Sequence, residues 1–129
     1  MTLEDQVCSL ELAKKLKELG VNQKSYFAHD ISRGTITTSS YAERHPTLKC
    51  VAAFTVAELG EMLPLVQNFS PVVSKVGPGN WLCWYLDNEI TESPWQFVMF
   101  GDAFHAPTEA EARAKMLIYL LENKLINLN

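Results

Sequence analysis

The stretch from Thr108 to Leu125, TEAEARAKMLIYLLENKL, holds a helix start, a buried face and a helix stop in one run, and it limits what the remaining residues can build. Thr108 can accept a hydrogen bond from the N–H of Glu111 while the Glu111 carboxylate reaches back to the N–H of Thr108, the reciprocal arrangement of a capping box. Ala110, Ala114, Leu117 and Leu121 recur at spacings of four, three and four, and Met116, Ile118 and Leu120 widen the apolar face past a single stripe. A helix of this kind is packed on more than one side, so other elements must be laid against it. Nothing in it performs chemistry.

Earlier in the chain, Ser9 precedes Leu10, Leu12, Ala13, Leu16 and Leu19, which share a broad face, and Gly20 can take the left-handed conformation that stops a helix. A first helix is therefore expected from about residue 4 or 9 to 19. Residues 26–31 are aromatic and bounded by polar groups, as a strand would be. Cys50 to Phe54 leads into a second capping box, Thr55-Val56-Ala57-Glu58, whose helix ends near Met62 or Leu63 because Pro64 lacks the N–H to continue it. Pro71 to Val76 and Trp81 to Leu86 flank Gly77-Pro78-Gly79-Asn80 and read as a hairpin with a somewhat long turn. Asp87 to Pro94 reads as another turn, followed by a strand over Trp95 to Phe100. Helices laid on a small antiparallel sheet make an α+β architecture, with an N-terminal and a long C-terminal helix covering the sheet.

At 129 residues the chain has the length of one domain, and 47% hydrophobic with 20% charged residues is an ordinary globular balance. No apolar run approaches the ~20 residues that span a bilayer. The opening MTLEDQVCSL is acidic where a signal peptide would carry lysine, so a cytoplasmic location and no membrane partner are expected. A formal charge of −4 disfavours extended nucleic acid as a partner. Cys8, Cys50 and Cys83 form no CxxC pair, which points to reduced, mostly buried thiols rather than disulfides or zinc.

His29, His45 and His105 invite an enzymatic reading, but none pairs with another at helical spacing, and HExxH, GxSxG and GxxxxGK[ST] are all missing. No catalytic residue, metal or cofactor is therefore expected. The run from Ser32 to Thr47 carries few large apolar groups and many hydroxyls, and reads as a long loop with a weak strand around Thr35 to Thr38. Within it Arg33, Thr35, Thr37, Arg44 and His45 are the best candidates for gripping an anionic group, because guanidinium forks and hydroxyls suit phosphate oxygens. A solvated polar loop has the same composition. Trp81, Cys83 and Tyr85 alternate with Leu82, Trp84 and Leu86, so the strand is apolar on both sides and one side needs a cover. Helices can provide it; otherwise Trp84 and Trp95 are left for a subunit contact or for stacking on a flat ligand.

VCSLELAKKLKELGVNQKSYF, AFTVAELGEMLP and DAFHAPTEAEARAKMLIYLLENKLI, in this order, resemble small uncharacterised proteins of bacteriophages and prophages similar to the phage ABA sandwich domain family. The resemblance leaves out the Ser32 to Thr47 loop and the Pro64 to Pro94 region. It implies an α/β sandwich and carries over no catalytic residue. A final helix opening Thr108-Glu109-Ala110-Glu111 departs from double-stranded RNA-binding domains, whose corresponding helix opens with lysines. The expectation is a non-enzymatic phage or prophage accessory protein that sequesters a host nucleotide-type molecule or neutralises a host protein, interfering with host defence. The alternative is a homo-oligomeric interaction module without a small ligand.

Overall fold

The computed structural model describes residues 2–87 and 103–127. The expected strand over residues 95–100, and with it Trp95, lies outside the described residues. Helices α1 (Leu3–Gln6) and α2 (Leu10–Glu18) open the chain, followed by β1 (Phe27–Asp30), β2 (Thr35–Thr38), α3 (Ser39–Arg44), β3 (Cys50–Ala52) and α4 (Val56–Met62). Strands β4 (Phe69–Gly77), β5 (Asn80–Asp87) and β6 (Phe104–Ala106) and helix α5 (Glu109–Glu122) complete it. The class is α+β, but the strands divide into two three-stranded sheets, ordered β2-β1-β3 and β4-β5-β6.

Both expected boundaries of α2 are met. The Ser9 hydroxyl accepts from the N–H of Leu12, and Gly20 sits at φ +90° while Val21 N–H reaches the carbonyl of Leu16, a Schellman closure. The segment over residues 32–47 differs from the expected long loop. Thr38 caps a six-residue helix, α3, by accepting from Tyr41 N–H. Because β1 runs antiparallel to both neighbours, β2 and β3 are parallel, and α3 is the crossover that joins them. The hydroxyl-rich composition concealed this helix, since Ser and Thr cap and edge it without supplying an apolar stripe.

The β4–β5 hairpin has the predicted strands but a tighter connection: Gly77 pairs with Asn80, leaving only Pro78 and Gly79 in the turn, with Gly79 at φ +59°. Phe69 exchanges both backbone hydrogen bonds with Val66 at 2.9 and 3.0 Å, so its polar groups face away from β5. Pro71, two residues on, faces the same way, so its missing N–H breaks no bond of the β4–β5 ladder.

Helix α5 is the centre of the packing. Ala110, Ala112, Ala114, Met116, Leu117, Ile118 and Leu120 are buried, and α5 meets β4, β5 and β6 as well as α1, α2 and α4. Helix α2 in turn packs on β3, linking the first sheet to the same core. One half of the expected capping box is replaced. Thr108 accepts from Glu111 N–H at 3.2 Å, but the Glu111 carboxylate turns to the backbone N–H of Ser9 and so fastens the start of α2 to the start of α5. At α4 the box is complete, and Glu58 additionally accepts from Tyr26 N–H at 3.2 Å.

Candidate functional site

Two backbone pairings bring four chain segments to one place. Val7 bridges to Thr55, setting the end of α1 beside the start of α4, and Trp81 pairs with Ala106, setting the β4–β5 hairpin beside the start of α5. Between these two walls lies a cleft of about 750 Å³. Asp5, Thr55, Val56 and Ala57 line the first wall; Lys75, Trp81, Pro107 and Glu109 line the second. The volume falls within the range of ~300–1,000 Å³ usual for small-molecule sites, and the lining mixes apolar surface with a few charged groups, as such sites do.

Lys75 and Trp81 stand directly opposite each other across β4 and β5, hence on the same face of the sheet. The Lys75 ammonium lies 5.9 Å from the centre of the indole ring, within cation–π range. Glu109 is already engaged: Arg113 donates to it from Nε at 2.9 Å, and Nη2 is 2.8 Å away. Among the described residues Asp5 accepts only from the N–H and hydroxyl of Thr2, neutral donors, at 3.3 and 3.1 Å. Among the described residues no carboxylate lies within ion-pair distance of Lys75.

The residues singled out in sequence occupy other positions. Arg33, Thr35, Thr37, Arg44 and His45 all belong to the first sheet and its crossover. Arg33 lies at the β1–β2 turn with Nε 3.6 Å from Asp30, a nearly fully buried carboxylate whose Oδ1 also accepts from the N–H groups of Ser32 and Arg33. Arg44 Nε donates to the carbonyl of Ser40 in its own helix, and His45 stacks on Tyr41 at 4.0 Å with Nδ1 2.9 Å from that residue's carbonyl. Thr35 and Thr37 alternate on one face of β2. Trp84 sits half-buried on β5 of the second sheet, with Leu82 and Leu86 on the face turned away from Cys83 and Tyr85. The arginine-bearing unit and Trp84 thus belong to different sheets.

The imidazoles do not converge. His29 is buried and donates from Nε2 to the carbonyl of Cys8 at 2.7 Å; His105 Nδ1 is 3.1 Å from Asn80 Oδ1; His45 is exposed at the end of α3. Burial pushes the Cys8 and Cys83 thiols up to about 12, and Cys50 is shifted upward by burial and by Asp30, so each thiol resists forming the nucleophilic thiolate. No group of three or more metal-ligating side chains is assembled among the described residues. Among them, too, no helix is long and apolar enough to cross a membrane.

Lys75 and Asp5 escaped sequence reasoning because isolated charges carry no motif. Trp81 was visible as an aromatic, but its partner across the hairpin depends on register. Comparison of the chain with family models, curated proteins and solved structures gives no match.

Proposed function

We propose that the protein acts by binding rather than by breaking bonds, holding a small ligand in the cleft between the α1–α4 wall and the hairpin–α5 wall. The observation that carries this reading is the cleft itself, a large concavity that holds both an indole and an ammonium without a carboxylate partner among the described residues. Separated imidazoles and thiols held in their protonated form support a non-catalytic role. In the setting suggested by the resemblance to phage and prophage proteins, such a module removes a host small molecule from circulation in the cytoplasm. The nucleotide-type ligand expected from sequence would have the loop bearing Arg33 and Arg44 hold its phosphates and Trp84 or Trp95 stack on its base; the cleft draws on none of Arg33, Arg44 and Trp84.

Native mass spectrometry of protein taken directly from cells tests the proposal. A small-molecule adduct on the wild type that disappears in Trp81→Ala, with the circular dichroism spectrum retained, is the expected result. An adduct that survives Trp81→Ala and disappears when Arg33 and Arg44 are replaced by alanine would move the site to the first sheet.

A second reading has its own observation. Leu82, Trp84 and Leu86 form a half-buried apolar row on the face of β5 turned away from Cys83 and Tyr85, the kind of row on which a second copy packs in a homo-oligomer. Light scattering of wild type and Trp84→Ser checks it; a wild-type monomer at the concentrations where the protein functions removes this reading.

A further inference from the structure

We infer that the cleft ligand is a compact zwitterion with an apolar side chain, of the chemical class of a free amino acid. The inference rests on the cleft being the binding site and deepens that reading. Its basis is how charge is distributed between the two walls. Among the described residues three charged side chains line the cleft, and one of them, Glu109, is neutralised by the two-point contact with Arg113 on its own wall. What remains is Asp5, negative, on the α1–α4 wall, and Lys75, positive, on the hairpin–α5 wall.

A ligand bearing one charge would satisfy one wall and leave the other opposed or idle. A molecule with an ammonium and a carboxylate satisfies both, each through a charge-assisted hydrogen bond. Val56, Ala57, Trp81 and Pro107 supply apolar lining in the same cleft, which suits a hydrocarbon or ring-bearing side chain branching from the charged end of the ligand. Lys75 is held near its place by the Trp81 ring, which spares part of the entropy of ordering a long side chain when the carboxylate arrives.

Titration calorimetry with tryptophan, phenylalanine, tyrosine and leucine as probes tests the inference. Each is compared with its N-acetyl derivative, which lacks the ammonium, and its amide, which lacks the carboxylate. At least one free amino acid is expected to bind, and either blocking group to weaken it about ten- to a hundredfold, the span set by losing one hydrogen bond between charged groups. The variants should split the effect. Asp5→Asn keeps an oxygen acceptor for Thr2 and should bind the N-acetyl and free forms alike, while still rejecting the amide. Lys75→Met keeps the aliphatic stem over Trp81 and should lose the preference against the amide only.

Equal binding of free and blocked forms by the wild type, or variants that weaken every probe equally, would overturn the zwitterion. So would failure of all four amino acids to bind. If a cell-derived adduct is nevertheless present and is lost in Trp81→Ala, the cleft reading stands while the ligand class falls.

Discussion

Tyr85 and Cys83 enter the core from the second sheet as fully buried side chains, packed in a layer where α5 contacts β4, β5 and β6. The first sheet contributes smaller buried apolar groups, Ala28, Val51 and Ala52, and reaches the rest of the molecule through polar contacts: His29 to the Cys8 carbonyl, Ala52 N–H to Gln23 and Tyr26 N–H to Glu58. The second sheet thus takes the larger side chains out of water, while the first adds to the apolar packing of α2 on β3 a set of hydrogen bonds that lose their value when a partner is removed. The contrast bears on function because the cleft lies at the hairpin end of the sheet with the firmer apolar attachment, where Lys75 and Trp81 are fixed by register. Binding groups mounted on such a scaffold hold their geometry better than groups on a crossover whose side chains bond within their own helix.

Substitutions should separate the two modes of attachment, and the largest loss is expected in the second sheet. Tyr85→Ala empties a fully buried site and removes the hydrogen bond from its hydroxyl to the Pro64 carbonyl, 2.8 Å away. A loss on the order of 3–5 kcal/mol, read from the urea midpoint, is the expected result. His29→Ala leaves the Cys8 carbonyl without its donor in a buried setting and should cost about 1–3 kcal/mol. If His29→Ala proves the more damaging, the division between apolar and polar attachment is wrong.

A finer comparison concerns the threonine caps of α4 and α5. Thr55→Ala and Thr108→Ala should each cost about 1 kcal/mol. Glu111→Ala should exceed Thr108→Ala, because it frees the Ser9 N–H and unfastens α2 from α5. A Glu111→Ala effect no larger than that of Thr108→Ala would mean that the cross-helix contact adds nothing.

The smallest difference at neutral pH involves the thiols, one buried beside each sheet. Cys8 and Cys83 are raised from a reference of 9.0 to about 12, chiefly by burial, so the unfolded chain releases these protons first. Their contribution to stability is whole below pH 9 and is lost as pH climbs toward 12. Urea midpoints should therefore fall on going from about pH 8 to about pH 10, and less so in Cys8→Ala or Cys83→Ala. At neutral pH, iodoacetamide should label Cys50 before either buried thiol.

The long-range frame of the fold was legible where one residue type has one physical job. Gly20 stops α2, Pro64 follows α4, and the apolar run of α5 announces a helix with several neighbours. Helix α3 was hidden because six residues with hydroxyl caps give no periodic signal, and the division into two sheets was hidden because β2 and β3 pair with β1 only after the crossover is made. The redirection of Glu111 could not be read from TEAE, since Ser9 is 102 residues away. The cleft was illegible for the same reason: Asp5, Val56, Lys75 and Pro107 share nothing local, and their proximity depends on the Val7–Thr55 and Trp81–Ala106 pairings.

The most direct test of where recognition occurs is an NMR titration of the labelled protein with the free amino acids named above. Shifts centred on the Trp81 indole N–H and the backbone amides of Asp5, Val56, Ala57 and Lys75 are the predicted result. Shifts centred instead on Arg33, Arg44 and His45, with the Trp81 indole unmoved, would contradict the assignment of the cleft.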